Sequence, residues 1–235
     1  MPWLPEVFTA PVMEQILDRR RRDALVAVPY FDGLLVGDPD PLVESFAGEP
    51  EVHDPVRGRV KGVAAFRAFV TETSAWLRDH HASVDDGEHV ILEQHGFEEV
   101  VLHLDADGGA LEVPIVVVAD REVDGRIDEV RVYFDSRLLT GRHAHRPPLL
   151  QADPALTVPE AVAGFYAQMP DGAGITLEPC ALVDDGRAAA FEHNVVRLGS
   201  VQPLPQAEVA VLVRSESGGP PAVRVYDDRS RSRPA

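Results

Sequence analysis

Between Tyr30 and Gly58 the chain sets helix-forming runs and turn signals in an order that few folds accommodate. Tyr30-Phe-Asp-Gly-Leu-Leu-Val36 reads as a short helix, Gly37-Asp38 as a turn, and the run to Phe46 as a second helix. His53-Asp54-Pro55, followed by Gly58, then reads as an extended segment entering a turn. The helical pattern begins at Pro11, but Pro29 lacks the amide hydrogen an interior turn needs, so a break falls there. Asp38-Pro-Asp-Pro41 punctuates the chain, and Pro41 suits the opening of the second helix. Val63, Phe66, Val70 and Leu77 recur at helical spacing and mark the buried stripe of a third helix through about His80.

Downstream the period changes from helix to strand. In Val130-Arg-Val-Tyr-Phe-Asp135, Val130, Val132 and Phe134 share one face, and Arg131, Tyr133 and Asp135 share the other. Gly108-Gly109 and Asp124-Gly125 separate such runs and read as hairpin turns. Val130-Arg-Val-Tyr133 returns as Val223-Arg-Val-Tyr226, Glu112-Val113 as Glu208-Val209, and Phe69 as Phe165. A repeat this long points to domain duplication rather than a solenoid. The expected organisation is a complete unit over 1–139, a proline-rich linker over 140–157 and a shortened copy over 158–235. The copy opens at its third-helix equivalent, Val158 to Gln168, adds four strand-like runs, and has no counterpart of Tyr30 or Asp54.

The order and spacing from Tyr30 to Gly58 resemble the ketosteroid isomerase and SnoaL-like branch of the NTF2-like superfamily. That resemblance implies an α+β, cystatin-like cone: helices packed on a curved, mostly antiparallel sheet, here in tandem with a truncated second copy. It implies a small hydrophobic molecule in the cone, and neither metal nor organic cofactor. Within the isomerase pattern the aspartate of an acidic-Asp-Pro triplet is the general base; here Asp54 of His53-Asp54-Pro55 falls on it. A base of this kind must be partly desolvated and within about 3 Å of the substrate C–H. The structural alternative is that Asp-Pro ends a strand and the carboxylate caps a turn.

Tyr30, eight residues before Asp38, stands where the family keeps a tyrosine that hydrogen-bonds the developing oxyanion. A core tyrosine satisfied elsewhere is the alternative. A third group departs from the family. The isomerases carry a protonated aspartic acid in an Ala-Pro-Ile-Asp strand. The corresponding run is Val113-Pro114-Ile115-Val116, which leaves Val116 at that position. Losing one such donor costs about 3–4 kcal/mol of transition-state stabilisation, so efficient steroid-type enolisation is not expected. Cyclase-like or epoxide-hydrolase-like chemistry, or binding without turnover, stays open.

Val116, Val118 and Phe66 are expected to wall the pocket, with Asp120, of the same strand parity, nearer its rim. Arg131, Tyr133 and Asp135 resemble the acidic and basic sets of SnoaL-like cyclases and epoxide-hydrolase-like proteins, although alternating polar residues usually form only the wet face of a strand. His53 and His103 are acid–base candidates by residue type, and in an extended segment His53 and Asp54 point to opposite faces, so one of them is expected to line the cavity. His103 and His193 recur behind hairpin glycines, which favours a structural or interface role. His143-Ala-His145, beside prolines, reads as a solvated loop rather than a metal pair. The single cysteine, Cys180, has no activating neighbour and excludes a disulfide framework.

A net charge of −17 opposes binding to nucleic acid or to anionic membrane surfaces, and Arg19 to Arg22 read as a solvated helix face. No run approaches the roughly 20 apolar residues of a membrane span. The N-terminus lacks a basic region followed by an apolar core, so a cytoplasmic location is expected. The partner expected is a small molecule. The chain is expected as a monomer whose second unit covers the sheet of the first as an internal pseudo-dimer, or as a homodimer. Ser230 to Ala235 reads as a frayed tail.

Overall fold

The computed structural model describes residues 30–228, apart from 107, 170–173, 199–203 and 216. The expectations for the helical pattern from Pro11, its break at Pro29, the arginine run and the C-terminal tail lie outside the described residues. Helix α1 spans Tyr30–Val36 and α2 spans Pro39–Glu44. The Asp38 side chain caps α2 by accepting from the Asp40 amide, so Pro39, not Pro41, opens that helix. Strands β1 (Glu51–Asp54) and β2 (Gly58–Lys61) form a hairpin, and α3 follows over Val63–Asp79. Four longer strands then run antiparallel: β3 (Ser83–Ile91), β4 (His95–Ala106), β5 (Gly109–Arg121) and β6 (Ile127–Tyr133).

These strands make one mixed sheet in the order β2-β1-β6-β5-β4-β3, with β1 parallel to β6. The helices cover one face of it. Phe66, Phe69, Val70 and Leu77 of α3 join Phe31, Leu34 and Phe46 against Val100, Leu102, Val113, Ile115, Val117, Val130 and Val132. Val63, expected in the buried stripe, is 41% exposed because it is the first residue of the helix. The α+β architecture, with helices on one face of a bent mixed sheet, is the one expected.

A short helix α4 (Arg137–Thr140) leads into the linker, and α5 (Glu160–Ala167) opens the second unit. Strands β7 (Thr176–Asp184), β8 (Ala188–Arg197), β9 (Gln206–Val213) and β10 (Ala222–Tyr226) then make an antiparallel sheet in the order β10-β9-β8-β7. Helix α5 packs on one face of it through Val162 and Tyr166, against Ala189, Phe191, Ala210 and Leu212.

The two sheets meet face to face. Val90, Phe97, Val116, Val118 and Tyr133 of the first pack against Val183, Ala188, Ala190, Ala207, Val209, Val211 and Tyr226 of the second. Strand alternation makes this possible: odd positions of β5 face the helices while Val116 and Val118 face the other sheet. The ion pairs across the junction are reciprocal. Arg131 on β6 grips Glu192 on β8 at 2.7 and 2.9 Å, and the Tyr133 hydroxyl donates to the same carboxylate at 2.6 Å. Arg224 on β10 grips Glu99 on β4 at 2.5 and 2.6 Å, and the Tyr226 hydroxyl donates to Glu99. One sequence interval relates arginine to arginine, tyrosine to tyrosine and glutamate to glutamate, as in a two-fold contact between subunits. The other matched pairs behave differently. Val113 faces α3 whereas Val209 faces the opposite sheet, and His103 is partly exposed whereas His193 is buried under α5.

Candidate functional site

Asp54 ends β1 with the parity of Val52, which belongs to the core under the helices. Its Oδ1 accepts from the Val56 and Arg57 amides, both at 2.8 Å, so the turn-capping alternative is realised by one oxygen. No described donor is hydrogen-bonded to Oδ2. Desolvation dominates the environment and raises the carboxyl above the ordinary aspartate value, against the pull of those two amides and of the Arg146 and Arg57 charges.

Tyr30 opens α1 against the same core. Its hydroxyl is buried with no hydrogen-bond partner among the described residues. Desolvation first, then the charges of Asp54 and Glu98, push the phenol well above the ordinary tyrosine value. Both carboxylates are therefore within electrostatic reach of the phenol, which stays protonated. Such a donor is uncommon in native interiors.

Glu98 was not among the residues singled out from sequence. It shares the parity of Val100, Leu102 and Leu104 on β4, all core positions facing the helices. Its Oε1 accepts from the Tyr30 amide at 2.8 Å. Burial, then the neighbouring Asp32 and Asp86 charges, opposes the Tyr30 hydrogen bond and pushes its carboxyl up to about 7. A lone glutamate at an apolar parity of an alternating strand was the available signal.

The other expected site residues lie elsewhere. Phe66 is in the helix-side core, edge-on to Phe46 at 5.1 Å and stacked on Phe69 at 6.2 Å. Val116 and Val118 wall the junction between sheets rather than a pocket under the helices, because their strand parity points them away from α3. Asp120, Arg131 and Tyr133 lie on that same outer face. The Arg131 guanidinium is fully enclosed, shared among Glu192, Asp120 at 2.6 and 3.1 Å and Glu129 at 3.0 Å. Arg131 and Tyr133 thus hold the two units together. Asp135 departs from them: it accepts from the Arg137 amide and pairs with His143 at 3.1 Å.

A cleft of about 480 Å³ opens beside β1, between the β1–β2 hairpin and the linker at His145 to Leu149. His53 and Asp54 both line it, contrary to the expectation that one would, because Asp54 sits at the strand end beside the turn. Tyr30 is not among its lining residues. His53 Nε2 lies 3.1 Å from Glu51 and 3.6 Å from Glu129, and the three ligand atoms are close enough to hold a metal ion. The carboxylates already have cationic partners: Glu51 has Arg59 and Lys61, each at 2.6 Å, which pull its carboxyl down to about 2, and Glu129 shares Arg131 with Asp120 and Glu192. A second such group joins Asp135, His143 and Asp228, where Asp228 also accepts from the Ser136 and Ala144 amides. His143 is therefore tied into the fold, while His145 is exposed at the cleft as a loop residue. Cys180 is held as a thiol, its pKa raised to about 11 chiefly by burial.

No protein-family model and no curated protein matches the chain. Similar solved structures each cover about half of it. One is the epoxide hydrolase/cyclase-like enzyme SalBIII, described in pyran ring formation in the polyether salinomycin, at 21% identity over 50% of this chain and 92% of that one, with a TM-score of 0.39. An NTF2-like protein of unknown function from Cytophaga hutchinsonii is 19% identical over 44% of this chain and 90% of that one, with a TM-score of 0.38. A protein from Kribbella flavida is 22% identical over 48% of this chain and 85% of that one, with a TM-score of 0.39. No helix among the described residues is long and apolar enough to cross a membrane.

Proposed function

We propose that the first unit is an NTF2-like cone and that the protein binds a small, largely apolar molecule beside Asp54 and moves a proton on it without a cofactor. The observation that carries this is the buried Tyr30 hydroxyl, without a hydrogen-bond partner among the described residues, with two raised carboxyls, Asp54 and Glu98, in electrostatic reach of it. Asp54 is the base. Its elevated pKa strengthens it as a proton acceptor, and Oδ2 is the oxygen not committed to the turn. A ligand that extends from the cleft past Asp54 into the core would place its developing oxyanion at the Tyr30 phenol, which does not itself line the cleft, and the high pKa of the phenol keeps its proton in place. Glu98 exchanges a proton near neutral pH and relays it at the same end of the core. Isomerisation beside a carbonyl, or opening of an epoxide, is the reaction class this set suits.

The test is a panel of small carbonyl and epoxide compounds with the parent and two variants. Asp54→Asn is expected to lower kcat by roughly 100-fold or more with ligand affinity nearly unchanged. Tyr30→Phe is expected to lower kcat by about 10²–10³-fold. A second reading, binding without turnover, draws on the capped Oδ1 of Asp54. It wins if no compound turns over and Asp54→Asn binds every compound as the parent does.

A further inference from the structure

Among the described residues, Arg146 stands apart from the direct ion pairs along the cleft. Glu51 is held by Arg59 and Lys61, and Glu129 by Arg131. Arg146 lines the same cleft, is only 6% exposed, and forms no ion pair with any described carboxylate. Its Nη1 donates to the Val132 carbonyl and its Nη2 to the His53 carbonyl at 3.0 Å. The guanidinium lies 4.4 Å from the centre of the Tyr133 ring. A guanidinium carries five N–H donors, so these bonds use only part of its capacity. Asp54, Glu192 and Asp228 attract it through space, but none is directly paired with it, and Asp54 makes its hydrogen bonds to the Val56 and Arg57 amides instead. Buried charges are normally paired, and this one lines the cleft with no direct carboxylate partner among the described residues.

We infer that the cleft holds a small organic anion, a carboxylate on an otherwise apolar body, with Arg146 as its anchor. The carboxylate takes the free N–H groups of Arg146, and exposed His145 stands at the same mouth. Pro55, Pro147, Pro148 and Leu149 supply the apolar wall. The inference deepens the reading above by naming the ligand class beside Asp54. It rests on that reading only for the claim that the ligand is also the substrate.

Calorimetric titration of the full chain with benzoate tests it, with benzamide as the uncharged counterpart and inorganic phosphate as the bare anion. Benzoate is expected to saturate, with benzamide weaker by roughly tenfold or more, the size of one charge-assisted hydrogen bond. Arg146→Gln, checked for folding by circular dichroism, is expected to lose a similar factor for benzoate and little for benzamide. Because Arg146 also holds two backbone carbonyls, that variant can fail to fold. The parent protein then decides: benzoate must shift the amide resonances of residues 53–59 and 145–149. The inference is overturned if benzoate binds no tighter than benzamide or phosphate, if the shifts fall elsewhere, or if folded Arg146→Gln binds benzoate as the parent does. Asp54→Asn separates the two claims, since it should abolish turnover yet keep benzoate binding. If it abolishes turnover while the parent ignores benzoate, only the anion site is lost.

Discussion

Glu98 has a measurable consequence for stability even before any substrate is known. Its carboxyl is raised from 4.5 to about 7 in the folded protein, so the folded state holds a proton that the unfolded chain releases first. Stability from this group is therefore intact below about pH 4.5, falls as pH rises, and is fully lost above about 7. The total is at most about 3 kcal/mol. Glu98→Gln keeps an oxygen for the Tyr30 amide and removes the titration. Urea unfolding at pH 5 and pH 8 should show the parent weaker at pH 8 and the variant with that difference reduced; equal differences in both would discount the raised carboxyl. Glu51 has the opposite sign. Its lowered carboxyl contributes stability above about 4.5, lost as pH falls through about 2, and the half-exposed Arg59 and Lys61 keep that contribution small. At this scale the sequence pointed to Tyr30 and Asp54, which lie in a patterned stretch. It was silent on Arg146, which sits in an aperiodic, proline-rich linker where spacing carries no orientation.

At the scale of elements, β6 shows what alternation can and cannot reveal. The split between Val130, Val132 and Phe134 on one side and Arg131 and Tyr133 on the other holds in the structure. Alternation does not say what covers each side, and the polar face that reads as wet is the one closed by the second sheet. The same ambiguity turned Val116 and Val118 from expected pocket walls into junction residues. The enclosed Arg131–Glu192 pair should be costly to break. Glu192→Ala leaves Tyr133 without its acceptor and removes two of the Arg131 bonds, with an expected loss of about 3–5 kcal/mol. Arg187→Ala removes the pair with Glu88 at the exposed margin of the same junction and should cost less than about 1 kcal/mol. Comparable losses for the two, measured by urea unfolding, would mean that the central pair is not load-carrying in solution.

For the whole molecule, the reciprocal contacts lead to a prediction of oligomeric state. Arg131 and Tyr133 reach Glu192 just as Arg224 and Tyr226 reach Glu99, so the second unit supplies within one chain what a symmetric partner supplies in a dimer. The face it covers includes Val90, Phe97, Val116 and Val118, an apolar surface that a stable monomer does not leave open. The full chain is therefore expected to sediment as a monomer, helped by its net charge of −17. A fragment ending at Gly141 keeps all six strands of the first sheet but loses its cover. It should dimerise or precipitate, and adding the separate second unit should restore solubility if that unit folds alone. A monomeric, soluble first unit, or a tight dimer of the full chain built through the first sheet, would contradict this arrangement. The outcome bears on function as well, because the linker that carries Arg146 to the cleft also hydrogen-bonds β9 through its carbonyl, at 3.0 Å from the Ala207 amide. Docking of the second unit thus holds Arg146 in place beside Asp54, and the truncated chain, which lacks Arg146 itself, should lose benzoate binding together with its monomeric state.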